Sequence, residues 1–171
     1  GAHVTVLDSD LNALNRIYEL HPGIVTYIST PSNIEKVCAY ADVVVGAVYV
    51  PGSPPPKVVT REMVKSMKPR SIIMDISIDE GGCVETSRPT THEKPTYIEE
   101  GIIHYCVPNI PSLFARTSTH SFLNAAYPFI VEIVTKGVDA AIEDNPAIKK
   151  GTAIHQGELL NISRLEAKES E

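Results

Sequence analysis

Through its first hundred residues the chain switches repeatedly between two hydrophobic periods, joined up to residue 48 by links of only a few residues. "HVTVL" (3–7) is a β-branched run ending at Asp8, and "DLNALNRIYEL" (10–20) follows with Leu11, Leu14, Ile17 and Tyr18 at helical spacing. "GIVTYIS" (23–29) reads as a second strand. "SNIEKVCAYA" (32–41) reads as a second amphipathic helix, with Ser32 as its expected cap and Glu35 three residues on. "DVVVGAV" (42–48) is apolar throughout, the pattern of a strand covered on both faces. "TREMVKSM" (60–67), capped by Thr60, and "SIIMDIS" (71–77) continue the alternation. Strand, helix, strand, helix with short links is the signature of a parallel, doubly wound α/β sheet.

The rest of the chain is organised differently. "IIHYCV" (102–107) is one more strand, and "STHSFLNAAYPFIVEIVTKG" (118–137) is a long, mostly apolar helix in which Pro128 should make a kink. Residues 139–146 form a short helix, 152–160 a hairpin about Gln156-Gly157, and "RLEAKESE" a charged, fraying tail. The expected division is therefore a sheet domain, 1–116, and a helical C-terminal segment, 117–171. A helix as apolar as 118–137 is expected to pack between domains or between subunits of a homo-oligomer.

Charge and cysteine content remove several function classes. The formal net charge is −6 and the Lys and Arg residues are scattered, which argues against nucleic acid. No apolar run reaches the roughly 18 residues of a membrane span, and no signal-peptide pattern is present. Cys38, Cys83 and Cys106 lack C-x-x-C spacing, so neither a disulfide framework nor a metal site is expected, and a reducing cytoplasm is the simplest setting.

Two features call for a functional explanation. The first is the stretch 74–97, "MDISIDEGGCVETSRPTTHEKPTY", which runs from the most apolar strand into some twenty polar, turn-prone residues; ordered loops of such length are usually functional. The second is Asp8. In dinucleotide-binding folds an acid at the end of an early strand accepts hydrogen bonds from a ribose, and its charge repels a 2′-phosphate. The glycine-rich pyrophosphate loop belongs about 20 residues earlier, yet seven residues precede Asp8 and no G-x-G-x-x-G occurs. If Asp8 has this role, the chain starts at the second strand of a Rossmann-type sheet, without its first strand and glycine loop; if not, Asp8 is a cap or turn acid.

Three stretches taken together resemble one family. The segment from "VVVGAVYVPGSPPPKVV" through "MDISIDEGGCVETSRPTTHEKPTY", then "HYCVPNIPS", then "RTSTHSFLNAAYPFI", is similar to the cofactor-binding part of alanine dehydrogenase from about residue 1 to residue 160. The NAD-binding component of proton-translocating transhydrogenase is similar through the Pro-rich loop and the M-K-P turn but not through S-R-P-T-T, and ranks second.

The resemblance implies NAD-dependent oxidative deamination of L-alanine to pyruvate and ammonia, in a protein that is typically a homohexamer. It implies cofactor-binding roles for Asp8 and Ser29 at the adenosine, Val48 and Tyr49 after the third strand, and Ile76, Asp79 and Asn109 at the nicotinamide. The asparagine stands between Pro108 and Ile110, where the family more often has Ala and Met. Asp79 is the implied catalytic carboxylate. The family's catalytic histidine and its lysine and arginine clamp lie in a preceding substrate-binding domain or companion segment, so the bare 171 residues are expected to be inactive. The competing expectations are a nucleotide-binding module without amino-acid chemistry, or an inert fragment.

Among the remaining candidates, Asp75, Arg88 and Thr90-Thr91 read as structural, the last three as anchors of the long loop. Cys83 reads as a packed thiol, because hydride transfer needs no nucleophile. His92, His104 and His120 are each possible bases, with packing or surface roles the more ordinary reading. "PGSPPPK" reads as a rigid loop of the cofactor site in preference to a polyproline ligand.

Overall fold

The computed structural model describes residues 1–161. Within them the chain divides into two compact units: residues 1–49 with 55–108, and residues 50–54 with 109 onward. The tail expected at 164–171 lies outside the described residues.

The first unit is an α/β layer. β1 (Thr5–Asp8) pairs in parallel with β2 (Val25–Ile28), joined by α1 (Leu11–Leu20). Asp10 caps α1 by accepting the Asn12 amide, and Leu14 is the buried residue of its apolar face. α2 (Pro31–Tyr40) is capped two residues before the expected position: Thr30, not Ser32, accepts the Asn33 amide, and Pro31 takes the first turn. Proline suits that position because its ring presets φ and its missing N–H would have had no helical partner there.

The second sheet of this unit has the order β3-β4-β6-β5, with β3 (Val43–Gly46), β4 (Ile72–Asp75) and β6 (Ile102–Tyr105) mutually parallel. The parallel α/β reading therefore holds, with differences in detail. β3 is not covered on both faces, since Val43 and Val45 are exposed. The expected strand 71–77 stops at Asp75, and Ile76–Glu80 forms a 3₁₀ turn. β5 (Thr96–Glu99) was not expected. It runs antiparallel to β6 through a two-residue turn, Glu100-Gly101, with both φ angles positive, the geometry of a twisted type I′ hairpin.

α3 (Arg61–Ser66) is capped by Thr60 as expected. It places Met63 and Val64 against Ile73 of β4 and Ile102 of β6, and Cys38, Val59, Met67, Cys83 and Val84 complete this core. Each fully buried aliphatic side chain contributes about 1.5–3 kcal/mol. The core therefore fixes β3, β4 and the segments that follow them as a rigid base.

The second unit is helical. α4 (Ala115–Lys136) contains Pro128, and α5 (Val138–Asp144) follows Gly137. The expected helix 139–146 ends earlier, because Asn145 caps a further helix, α6 (Pro146–Gly151), by accepting the Ala147 and Ile148 amides. The hairpin expected at 152–160 is present as β7 (Ile154–His155) and β8 (Glu158–Leu159), with positive φ at Gln156 and Gly157. α4 buries none of its residues in this chain, leaving Phe122, Tyr127 and Val134 strongly exposed. No helix among the described residues is long and apolar enough to cross a membrane.

Candidate functional site

Parallel strands β3 and β4 end side by side, with Gly46 opposite Asp75. The residues that follow these strand ends line an open cavity of about 240 Å³: Ala47, Val48, Tyr49, Ile76, Ser77, Asp79 and Glu80. Four of the expected site residues, Val48, Tyr49, Ile76 and Asp79, thus meet in one place. Val48 is half-buried, while Tyr49 and Ile76 are exposed. The lining is mostly apolar and includes two acidic residues, Asp79 and Glu80, beyond the carboxyl ends of parallel strands, where open α/β sheets bind ligands.

The cavity floor is held from both strands. Ser77 Oγ donates to the Val48 carbonyl at 2.7 Å, joining the residues after β4 to those after β3. The 3₁₀ turn then closes on Gly81, whose φ is +109° and whose amide donates to Ile78. Asp79 sits inside that turn, two residues past Ser77 and two before Gly81.

Beneath the turn lies Asp75, only 1% exposed. Its Oδ2 accepts the Cys83 amide at 3.0 Å and the Val84 amide at 3.2 Å, and its Oδ1 accepts the Cys83 thiol at 3.6 Å. These bonds make it a structural carboxylate, as its place inside the strand suggested. Gly82, at φ +77°, leaves no room for a side chain, since an added Cβ would stand 2.7 Å from Asp75 Oδ2. Gly46 is equally constrained, because its Cβ would stand 2.5 Å from Cys83 Sγ. The Cys83 thiol is fully buried, and burial, then the Asp75 charge, push its pKa up. A thiol held protonated in this way is no nucleophile.

The loop beyond is pinned by a stack of side chains. The Arg88 guanidinium lies 3.9 Å from the centre of the Tyr97 ring, which stacks on His104 at 4.9 Å. Tyr97 Oη donates to the Thr86 carbonyl at 2.8 Å and accepts the Arg88 amide at 2.9 Å. Thr90 donates its amide to the Cys106 carbonyl and its hydroxyl to the Pro95 carbonyl. Arg88 and Thr90 are therefore loop anchors. His104 is fully buried: its Nδ1–H donates to the Ile102 carbonyl and its Nε2 accepts from Thr86 Oγ1. It is a packed histidine of the sheet and does not reach the cavity.

Asp8 and Ser29 lie at the carboxyl ends of β1 and β2, neighbouring strands of the smaller sheet. The Ser29 amide donates to the Asp8 carbonyl at 3.0 Å, and Asp8 Oδ1 accepts the Asp10 amide at 2.8 Å. The turn role foreseen for Asp8 is thus real, yet it occupies one lone pair of a carboxylate that has about four. A ribose hydroxyl can therefore share the same group. Asn109 belongs to the second unit. There it adopts φ +53°, a left-handed conformation that asparagine tolerates, and precedes the 3₁₀ turn Ile110–Phe114. It lines a cavity of about 560 Å³ together with Ser112, Ser118, Thr119 and Phe122.

Sequence reasoning assigned no role to Ser77, Glu80 or Lys57. Ser77 and Glu80 flank Asp79 closely enough that a 3₁₀ reading of I-S-I-D-E would have found them. Lys57 stood in the quoted Pro-rich motif, but its Nζ donates to the carbonyls of Gly81 and Gly82 at 2.6 and 2.8 Å, a tertiary contact that no local pattern reveals.

Residues 1–162 match the family model described as alanine dehydrogenase/PNT, C-terminal domain. The chain is 44% identical over 160 residues to an alanine dehydrogenase of Halomonas elongata, covering 93% of this chain and 43% of that protein. It is 44% identical over 162 residues to an alanine dehydrogenase of Mycolicibacterium smegmatis, covering 94% and 44%. A solved L-alanine dehydrogenase superposes with a TM-score of 0.83 at 33% identity, covering 99% of this chain and 47% of that one. A transhydrogenase from Sinorhizobium meliloti superposes with a TM-score of 0.72 at 23% identity, which shows a shared fold. The chain spans less than half the length of each of these proteins.

Proposed function

Because the chain belongs to the alanine dehydrogenase/PNT C-terminal domain family, we propose that it forms the cofactor-binding part of an NAD-dependent enzyme that deaminates L-alanine to pyruvate and ammonia. The observation that carries this reading is the convergence of Val48, Tyr49, Ile76 and Asp79 on one cavity past the ends of parallel strands. At about 240 Å³ the cavity is below the size that takes a drug-sized ligand, and it suits one end of a dinucleotide. Asp8 and Ser29, at the ends of β1 and β2, suit the other end. The residues present therefore fit the cofactor, whose nicotinamide accepts a hydride when bound.

The chain's own residues have three tasks. Val48 and Ile76 form apolar walls that keep water from the ring and orient it. Asp8 accepts hydrogen bonds from the ribose hydroxyls, and its charge favours NAD over a 2′-phosphorylated relative. Asp79 lines the cavity, and its carboxylate stabilises positive charge developing on the substrate nitrogen and exchanges a proton with it, directly or through water. The whole protein's partners, L-alanine with pyruvate and further copies of the chain in a homo-oligomer, belong to the same proposal.

The test is NADH formation from NAD and L-alanine by the full-length gene product, and its Asp79→Asn variant. Losing a general acid–base group typically lowers turnover about 10²–10⁴-fold. We expect a drop in that range with the NADH dissociation constant changed by only a few-fold. Equal losses of turnover and affinity would remove Asp79 from the chemistry. Tight NADH binding without any alanine turnover in the unaltered protein would point to a nucleotide-binding module instead.

A further inference from the structure

We propose that Lys57 is a positioning residue for Asp79, acting through the Gly81-Gly82 turn. This rests on the reading above only in taking Asp79 as the group whose placement matters.

Two glycines in succession at φ +109° and +77° make a turn with little intrinsic rigidity, because glycine has the widest backbone freedom of any residue. Something outside the turn must hold it. On the near side, the Lys57 ammonium accepts no bonds but donates to two convergent carbonyls, Gly81 O at 2.6 Å and Gly82 O at 2.8 Å. Asp75, on the far side, accepts the amides of Cys83 and Val84. The peptide unit between Gly82 and Cys83 is therefore gripped at both ends, its C=O by a cation and its N–H by a buried anion. Charge-assisted hydrogen bonds of this kind are roughly twice as strong as neutral ones.

The grip reaches Asp79 by a short path. The Gly82 amide donates to the Ser77 carbonyl at 2.8 Å, and Ser77 Oγ donates to Val48 at the cavity wall. Asp79 lies between Ser77, tied to Val48, and Gly81, tied to Lys57. Lys57 is itself delivered rigidly: Pro54, Pro55 and Pro56 precede it with fixed φ angles, and the Val58 and Val59 amides after it both donate to the Cys83 carbonyl. Asp75 is buried in the core, so its removal would confound placement with folding. Lys57 is exposed, so its removal separates the two.

The experiment compares Lys57→Met and Lys57→Arg in the full-length gene product, alone and in the Asp79→Asn background. Lys57→Met should lower kcat for L-alanine about 10–100-fold with the NADH dissociation constant within about three-fold, by loss of a charge-assisted contact. Lys57→Arg should recover most of that loss, since it keeps the charge and the donors. In the Asp79→Asn background, Lys57→Met should cost nothing further. Unchanged kcat in Lys57→Met, or an equal loss in the Asp79→Asn background, overturns the inference. If the unaltered protein does not oxidise L-alanine, the functional reading fails, and hydrogen exchange then decides the positioning claim. Lys57→Met must speed exchange at the Gly82, Cys83 and Val84 amides while leaving α3 unchanged; unaltered exchange there overturns it.

Discussion

At the scale of single residues, adjacent glycines in the 81–82 turn do different work. Both need a positive φ, but an added Cβ at Gly81 meets open space, whereas one at Gly82 meets the Asp75 carboxylate at 2.7 Å. Gly81→Ala should therefore cost the backbone penalty alone, about 1–2 kcal/mol. Gly82→Ala must also displace a buried carboxylate from its amides and should cost at least about 2 kcal/mol more. Denaturant unfolding of the two variants checks this, and equal losses would show that Asp75 yields without penalty. Asp75 also shows the limits of reading residues singly. Its position in the strand suggested a structural role, but its partners, eight and nine residues on, depend on a turn that only the folded chain closes.

At the scale of elements, periodicity located the parallel strands and the longer helices, because each carries its own apolar repeat. It failed where a neighbour decides the outcome. β5 is four residues long, and its alternation in "TYIEEG" was overshadowed by the polar loop before it; the Glu100-Gly101 turn was the available signal. Residues 76–80 continue the apolar character of β4, yet they leave the sheet because Ser77 bonds across to Val48 and Gly81 ends the turn. Of the candidate site, the strand-end residues were legible, and the Lys57 contact 24 residues away was not. The Arg88–Tyr97–His104 stack gives a prediction on this scale. Tyr97→Phe keeps the stacking but leaves the Thr86 carbonyl and Arg88 amide without their partner. It should cost about 1–3 kcal/mol, and limited proteolysis should cut first within residues 88–95. Unchanged cleavage would mean that Thr90 holds the loop unaided.

For the molecule as a whole, one buried ring makes stability depend on acidity. Burial lowers the His104 pKa from its ordinary value of 6.5, more than the Ile102 carbonyl and nearby acids raise it. In the unfolded chain this imidazole takes up a proton as pH falls through about 6.5, while in the fold it stays neutral to lower pH. The unfolded state then holds more protons, so the stability His104 contributes is complete above about pH 6.5 and declines below it. Melting temperatures at about pH 7.5 and about pH 5.5 should show this fall, and His104→Gln should flatten it. An unchanged slope would place the acid sensitivity among the carboxylates of this net-negative chain.

The contact between Gly46 and Cys83 carries a consequence for how such sequences drift. The two backbones are held together by sheet pairing and by the Asp75 carboxylate, so the gap between them has a fixed width shared by two positions. A methyl group gained at 46 must be matched by a lost sulfur at 83. Among descendants of a common ancestor, alanine at 46 should travel with glycine or alanine at 83, and the two changes should arise close together in lineage.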